Sequence, residues 1–352
     1  MNCKRSSSAS SAARVAGNHD ILREIFLILP AKSLIRFQSV SRHWQSLIFD
    51  DPSFLHSHTL HHSCRRRRCS EHQPSFLLRD SVTSQFFILN PTTKNLVPFR
   101  LRFPYLRILQ SCNGLLLLEC KNSPHGQKDY YICNPATMQS KKLLPDSGKF
   151  MTSFAGLFLV FDPSKSHHYK VIGLTRSGNR HGLCRGEDSE YKVEVYDSKT
   201  RTWKYQGKRS ITYRPFCNGI YWKDGIYFVR PRGHSFFFYL DQDRENDRWI
   251  YEPPRIRSPG AKRNYIVESN GHMYCVMLNL YPNKNFCLVF EMDCNDYYIW
   301  SKKYHVDLNP ISASFAENKG TDIGLLGMIR GDKEEYTLVI SRAWQDNGLQ
   351  VS

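Results

Sequence analysis

The sequence predicts an α+β multidomain protein, in which a small three-helix module is followed by an all-β domain resembling a β-propeller of about six blades. Apolar residues recur with helical spacing in residues 19–55, whereas short β-rich runs separated by turn residues recur from residue 76 to residue 352. The 352 residues are enough for both parts, and the 41% hydrophobic and 23% charged residues are typical of a globular protein.

The N-terminal module contains three predicted helices. The first runs from Asp20 to Leu29, and Pro30 ends it because proline disfavours helix at the preceding residue and lacks a backbone donor. Ser33 and Ser41 are suitable N-caps for the second and third helices. The module carries more apolar side chains than one small core can hide, which predicts a protein partner. Packing of the module on the chain's own β domain is the alternative.

The β-rich part repeats a unit made of a strand, an Asn or Asp turn and a second strand that often carries Trp. The turn residues are 44, 63, 44 and 52 positions apart, at Asn90, Asn134, Asp197, Asp241 and Asp293. Such spacing resembles four-stranded propeller blades of roughly 40–50 residues, so residues 76–352 would form about six blades. A β-sandwich is the structural alternative, although it does not need this repeat.

A second repeated unit is an Asn-Gly pair followed by an apolar strand, at residues 113–114, 218–219 and 270–271. Both residue types tolerate positive φ, so a tight turn is predicted at each pair.

The remaining segments lack a clear hydrophobic pattern. Residues 1–18 are rich in Ser and Ala and contain no acid, which predicts a disordered tail, with a transit peptide as the alternative. Residues 56–75 are predicted to be a solvated basic linker. Its histidines and cysteines fit no paired zinc-ligand spacing; they are His56, His58, His61, His62, Cys64 and Cys69. Arg65 to Arg68 could be a nuclear-localisation or phosphate-binding patch or a solvated loop, and both readings stay open.

Charge and cysteine content narrow the choice of function. Of the formal net charge of +17, residues 1–18 carry +3, residues 19–55 carry none and residues 56–352 carry the remaining +14. A basic nucleic-acid-binding propeller is therefore the alternative function. The eleven cysteines and the absence of a secretory signal indicate free thiols in a reducing compartment. Apolar runs such as Ala155 to Phe161 are far shorter than the roughly 20 residues of a membrane span.

No pattern in the sequence indicates catalysis. A phosphate-binding glycine loop, a Gly-x-Ser-x-Gly elbow and a His-Glu-x-x-His helix are all absent. His167, His168 and His181 have no carboxylate or nucleophile placed beside them by spacing. We therefore expect a non-catalytic protein without cofactor or metal. A carbohydrate-binding or catalytic propeller is a third hypothesis, because fold alone does not exclude catalysis.

The order of residues in the module resembles the F-box of plant proteins. The matching features are the Leu-Pro-Ala-Lys-Ser-Leu turn at 29–34, Arg36-Phe37, Val40-Ser41, Trp44, Leu47-Ile48 and Asp51-Pro52. One feature differs from the family pattern. The plant F-box usually begins with a Leu-Pro pair a few residues before the first helix, whereas this chain has Ala-Gly-Asn-His at residues 16–19. The β-rich part is similar to the kelch-like F-box-associated domain of the same proteins, through residues 111–115, 134–137, 161–163 and 193–203.

This resemblance implies a tail at 1–18, an F-box at 19–55, a basic linker at 56–75 and an F-box-associated β-propeller-like domain at 76–352. The implied protein is the substrate-recognition subunit of an SCF-type ubiquitin ligase, located in the nucleus and/or cytoplasm. Its F-box would bind a Skp-type adaptor and, through it, cullin and RING subunits, while the β domain would bind an unidentified protein substrate. The implied adaptor-binding residues are Leu22, Ile25, Leu29, Pro30, Leu34, Val40 and Trp44.

Overall fold

The computed structural model describes residues 11–68, 76–79, 85–90, 95–101, 103, 106–121, 128–143, 154–176, 189–211, 219–228, 237–241, 248–250, 261–280, 285–293, 299–310, 321–330 and 336–344. The chain divides into two compact units. The helical unit comprises Met1–Glu71 with Asp162–His167, and the β unit comprises His72–Phe161 with His168–Ser352. Within the described residues, no helix combines the length and the apolar character that crossing a membrane would require.

The helical unit contains the three predicted helices and two more. Its elements are α1 (Ser11–Gly17), α2 (His19–Ile28), α3 (Ala31–Phe37), α4 (Arg42–Gln45), a π-helical turn (Ser46–Asp50) and α5 (Pro52–Arg68). The predicted tail is therefore helical at residues 11–17, and the predicted linker is helical at residues 56–68. Residues 1–10 and 69–75 of those two segments lie outside the described residues.

The helix boundaries follow the local capping chemistry. The Ser41 hydroxyl caps α4 by accepting the backbone N–H of Trp44 at 3.1 Å, as predicted. Ser33 is not the N-cap of α3, because that helix already begins at Ala31, directly after the extended backbone of Pro30. The carbonyl of Pro30 accepts the N–H groups of Ser33 at 2.8 Å and Leu34 at 3.3 Å. A single proline thus ends α2 and starts α3.

Helix α5 begins at Pro52, directly after Asp51. Asp51 accepts the N–H of Ser53 at 2.9 Å, and Pro52 occupies the first helical position, where its missing donor costs nothing. The carboxylate of Asp51 also pairs with Arg23 of α2 at 2.8 Å. The side chain of Phe54 is fully buried. It completes the core of the unit, which consists of Leu22, Phe26, Leu34, Leu47, Ile48 and Phe54.

The β unit consists of short antiparallel strands, as predicted. They are β1 (Phe76–Arg79), β2 (Phe86–Leu89), β3 (Leu96–Phe99), β4 (Arg107–Cys112), β5 (Leu115–Lys121), β6 (Lys128–Asn134), β7 (Gln139–Lys142), β8 (Phe154–Val160), β9 (Lys170–Arg176), β10 (Ser189–Asp197), β11 (Thr202–Ile211), β12 (Gly219–Trp222), β13 (Gly225–Phe228), β14 (Phe237–Asp241), β15 (Arg248–Ile250), β16 (Ala261–Ser269), β17 (His272–Leu280), β18 (Phe286–Asp293), β19 (Ile299–Asp307), β20 (Thr321–Arg330) and β21 (Tyr336–Trp344).

Four of the sheets are complete four-stranded blades, here called blade A (β4–β7), blade B (β8–β11), blade C (β12–β15) and blade D (β16–β19). Among the described residues, β1–β3 form a three-stranded sheet and β20–β21 a two-stranded one. The prediction of about six blades is therefore wrong, because four are complete. The prediction divided the chain length by the length of one blade, which assumes four strands in every sheet. The described residues of the first and last sheets form only three and two strands.

The repeated sequence unit corresponds to the outer half of each complete blade. Asn134, Asp197, Asp241 and Asp293 each end the third strand of a blade. The fourth strands of blades B, C and D carry Trp203, Trp249 and Trp300. The side chain of Trp300 is buried in the core of blade D, which agrees with a packing role.

Two of the three Asn-Gly pairs form the predicted tight turns. Asn113 and Gly114 have φ values of 47° and 90°, and Asn270 and Gly271 have values of 53° and 81°. Each pair joins the first and second strands of a blade. Gly219 instead begins β12 and is not among the described residues with positive φ, so its prediction is wrong. Asn218 lies outside the described residues.

Adjacent blades contact each other through their first strands. The amide of Gln110 in β4 donates to the carbonyl of Leu159 in β8 at 3.0 Å and accepts its N–H at 2.7 Å. The ring of Phe158 in β8 packs on Gly219 of β12, where a Cβ atom would come within 2.6 Å of the ring. Phe76 of β1 packs in the same way on Gly327 of β20, so the first and last sheets also touch. Side chains directed alternately to both faces of the sheets form the cores between blades.

Candidate protein-interaction site

The helical unit exposes a stripe of isoleucine side chains on α2. Ile21, Ile25 and Ile28 follow one another at intervals of four and three residues, which places them on one face of the helix. Their side chains are 44%, 38% and 56% exposed. The adjacent stripe contains Leu22 and Phe26, which are buried in the core. The excess of apolar residues that the sequence indicated is thus on the surface, where a protein partner could cover it.

The seven predicted site residues separate into three groups. Leu22 and Leu34 are buried and belong to the core of the helical unit. Leu29 and Trp44 are half-buried against that core. Ile25, Pro30 and Val40 are exposed, with Val40 57% accessible. Sequence reasoning did not select Ile21 and Ile28, because helical spacing alone does not say which of two neighbouring apolar stripes faces the core.

Trp44 connects three helices of the unit. Its ring makes edge-on contacts with Phe26 and Phe37 at centroid distances of 5.0 and 5.6 Å. Its indole N–H donates to the carbonyl of Ala16 at 3.2 Å. Trp44 therefore holds α1 against the core at the position where the plant F-box usually has its Leu-Pro pair. This geometry supports a structural role for Trp44.

Two histidines of α5 converge on the corner between α2 and α3. The Nε2 atoms of His58 and His62 lie 2.8 and 3.1 Å from the carbonyl oxygen of Leu29. Because a carbonyl can only accept, both nitrogens carry a proton and donate. The corner that precedes Pro30 is thus fixed by α5, a contact that the predicted linker could not supply. In the part of the chain that the structure describes, no three His, Cys, Asp or Glu side chains are grouped to hold a metal.

Acidification is expected to loosen α5 from this corner. Burial is the largest cause that lowers the pKa of both His58 and His62, and the charge of neighbouring His61 acts in the same direction. The unfolded chain therefore takes up protons first, so the free energy of unfolding falls as the pH drops below about 6.5. This contribution is fully present above about pH 6.5 and is lost as the pH falls through the lowered pKa values.

Hydrogen–deuterium exchange of the α5 amides, compared at about pH 7.5 and about pH 5.5 after correction for intrinsic rates, measures this effect. The matched variant combines His58→Gln with His62→Gln. It keeps two side-chain donors near Leu29 but removes both titrating groups, so it should lose most of the pH dependence. An equal pH dependence in the variant and the wild type would show that these histidines are not responsible.

The β unit contains buried thiols that are poorly suited to nucleophilic chemistry. Burial raises the pKa of Cys120 to about 12 and also raises that of Cys275. Such thiols stay protonated at neutral pH. Cys112, Cys120, Cys133, Cys275 and Cys287 are all buried, and none of these five forms a disulfide.

One charged cluster of the β unit connects three strands of blade D. His272 Nδ1 lies 2.5 Å from one carboxylate oxygen of Glu291, and Lys303 Nζ lies 3.1 Å from the other. The three residues come from β17, β18 and β19. Opposite charges on neighbouring strands pair in this way within many sheets, so the cluster is explained by its contribution to the stability of the sheet.

Comparison with known proteins matches both units. A family model described as the F-box domain matches residues 18–56, and one described as the KIB1-4 beta-propeller matches residues 47–309. The F-box protein At5g07610 of Arabidopsis thaliana is 31% identical over 328 residues, which cover 88% of this chain and 75% of that protein. The F-box protein At5g49610 of the same plant is 26% identical, over 74% of this chain and 71% of that protein.

Solved structures show only a distant likeness. YjhT is 12% identical over 76% of this chain and 91% of its own, with a TM-score of 0.39. TolB from Agrobacterium tumefaciens is 11% identical over 67% and 82%, with a TM-score of 0.37. These values are too low to support an argument about this chain. The model matching the β unit is a KIB1-4 beta-propeller, so the expected F-box-associated domain is corrected to that family.

Proposed function

Because the chain belongs to the F-box proteins, and its larger part to the KIB1-4 beta-propeller family, we propose that it is the substrate-recognition subunit of an SCF-type ubiquitin ligase. F-box proteins in general have this role, and the F-box and the β-propeller predicted from the sequence are both confirmed. The observation that carries the proposal is the exposed isoleucine stripe of α2, which lies inside the matched F-box.

In this proposal a Skp-type adaptor covers the exposed apolar residues of the helical unit. Burial of apolar surface stabilises a complex by about 25 cal/mol per Å² before the costs of association are subtracted. Ile21, Ile25, Ile28 and Val40 are the residues that expose such surface. Leu29 and Pro30 form the neighbouring corner, whose position is set by the hydrogen bonds from α5.

The β unit then holds a protein target beside the ubiquitin-loaded enzyme that cullin and RING subunits recruit. Transfer is accelerated by proximity, which raises the effective concentration of the reacting groups, and no side chain of this chain takes part in the chemistry. The proposed complex acts in the nucleus and/or cytoplasm and uses no cofactor.

Co-purification with a Skp-type adaptor tests the proposal directly. The full chain is co-expressed with an adaptor from Arabidopsis thaliana and passed over a gel-filtration column. We expect a complex with one copy of each protein, because α2 presents one continuous apolar stripe. Mass spectrometry of proteins captured with the full chain in plant cells, while the proteasome is blocked, should also recover cullin and RING subunits. Separate elution of chain and adaptor, with neither subunit captured, would contradict the proposal.

A further inference from the structure

Helix α1 is exposed along its whole length. Each of its seven residues, Ser11–Gly17, is exposed, and none belongs to the core of the helical unit. Isolated helices shorter than roughly 12–15 residues are marginal in water, because the first turn fixes several residues for a single hydrogen bond. Contacts outside the helix therefore decide whether α1 persists.

Two hydrogen bonds hold the C-terminal end of α1. The indole N–H of Trp44 donates to the carbonyl of Ala16 at 3.2 Å, and the backbone N–H of Asn18 donates to the carbonyl of Val15 at 3.1 Å. Carbonyls in the last turn of a helix have no partner within the helix, so both bonds satisfy groups that α1 leaves open. They fix the end of α1 beside α4 and α2, but they bury none of its side chains.

Helix α1 has an apolar face. Ala12, Val15 and Ala16 are three and four residues apart, which places them on one side of the helix. All three are exposed, and Val15 is 37% accessible. The cation of the helix, Arg14, lies on the opposite side, since successive residues are about 100° apart around the axis. The free chain thus leaves the apolar face of α1 in water.

Helix α1 adjoins the N-terminal end of the isoleucine stripe of α2. Asn18 joins the two helices: its backbone N–H donates to Val15, and its side-chain oxygen accepts the N–H of Ile21 at 3.0 Å. Val15 and Ile21 are therefore hydrogen-bonded to the same residue. Ile21 is 44% exposed and is the first residue of the stripe. A protein surface that covers Ile21 consequently comes close to α1.

The isoleucine stripe is too small to be a whole interface. A stable protein interface buries about 800 Å² on each partner and involves roughly 20–30 residues a side. Among the described residues of the helical unit, the exposed large apolar side chains are those of Val15, Ile21, Ile25, Ile28 and Val40. Val15 precedes the matched F-box, residues 18–56, whereas the other four lie inside it. Helix α1 is thus exposed surface at the end of the stripe that an adaptor could also cover.

We propose that α1 is part of the adaptor-binding surface and that Val15 is its contact residue. The Skp-type adaptor packs on the apolar face of α1 as well as on the isoleucine stripe, and it supplies the tertiary contacts that stabilise a helix of seven residues. The inference rests on the proposed function and deepens it, because it extends the adaptor-binding surface beyond the matched F-box.

Three substitutions of Val15 in the full chain test the contact, with the affinity for a purified adaptor from Arabidopsis thaliana measured by biolayer interferometry. Val15→Ala is the decisive variant, because alanine raises the helix propensity of α1 but removes two methyl groups from its surface. We expect it to weaken binding about threefold. Val15→Asp should weaken binding about tenfold or more, since the complex would bury an unpaired carboxylate. Val15→Ile keeps an apolar β-branched side chain and should bind within about twofold of the wild type.

Hydrogen–deuterium exchange of the wild type, free and in the complex, measures the second part of the proposal. The amides of residues 15–17, which can bond within α1, should exchange at least about tenfold more slowly in the complex. Equal or tighter binding by Val15→Ala, or unchanged exchange of α1 in a complex that forms, would overturn the role of α1 and leave the ligase function standing. Absence of adaptor binding by the wild type would overturn both.

Discussion

Replacement of Ile25 and Ile28 by aspartate is expected to abolish capture of a Skp-type adaptor while leaving the chain folded. Both side chains are exposed, at 38% and 56%, so the free protein tolerates the charges with little change in stability. In the complex, each aspartate would be buried without a partner, which costs roughly 2 kcal/mol or more. The two changes together should weaken adaptor binding by more than about 100-fold.

Two control variants distinguish loss of the adaptor-binding surface from loss of stability in the core of the helical unit. Ile299→Asp places one aspartate at an exposed isoleucine of β19, outside the F-box, and should leave adaptor capture unchanged. Leu22→Ala removes a buried side chain of the helical unit and is expected to cost about 2–5 kcal/mol of its free energy of unfolding. Circular dichroism melting and a pull-down with purified adaptor measure both properties. If the variant carrying both Ile25→Asp and Ile28→Asp still captures the adaptor fully, the adaptor binds a different surface of the chain.

The helical unit shows what periodicity can and cannot predict. The spacing of apolar residues in α2 was enough to identify the helix and to indicate a protein partner. It could not distinguish Leu22, which is buried, from Ile21 and Ile28, which are exposed, since α2 is apolar over more than half of its circumference. The elements packed against α2 decide which stripe is covered: α3, the π-helical turn and α5 supply the buried residues Leu34, Leu47, Ile48 and Phe54, most of which are distant from α2 in the sequence.

Helix α5 could not be predicted from apolar spacing, because most of its residues are polar. Its stability comes from tertiary contacts: the buried ring of Phe54, the pairing of Asp51 with Arg23, and the hydrogen bonds of His58 and His62 to Leu29. The local signal was nevertheless present, since Asp followed by Pro is a good start for a helix as well as a stop. His58 and His62, whose spacing with the nearby cysteines fits no paired zinc-ligand pattern, hold a corner of the backbone.

In the β unit, the turn residues correctly predicted where strands end, but their spacing did not predict the number of complete blades. An Asn or Asp at the end of the third strand recurs in all four complete blades, because these side chains tolerate the turn that leads to the outer strand. Pairing between distant strands determines how many sheets are completed.

Gly219→Ala is expected to lower the free energy of unfolding of the β unit by about 1–3 kcal/mol. The added Cβ would lie 2.6 Å from the Cδ1 and Cε1 atoms of Phe158, a distance that carbon atoms cannot keep. Phe158 is buried between blades B and C, so its ring can move only by displacing Ile226 and the surrounding core. The sequence suggested a turn at this glycine, whereas the structure requires it for the close approach of two blades.

A double-mutant cycle with Phe158→Leu tests this cause. The leucine alone should destabilise the β unit by leaving a cavity, but it also vacates the space that the alanine needs. We therefore expect the double variant to be more stable than the sum of the two single effects predicts, by roughly 1 kcal/mol. Gly17→Ala, where a Cβ would have no neighbour within 4 Å, is the control and should leave the β unit unaffected. Additive effects of Gly219→Ala and Phe158→Leu in thermal unfolding would show that the two side chains do not compete for the same space.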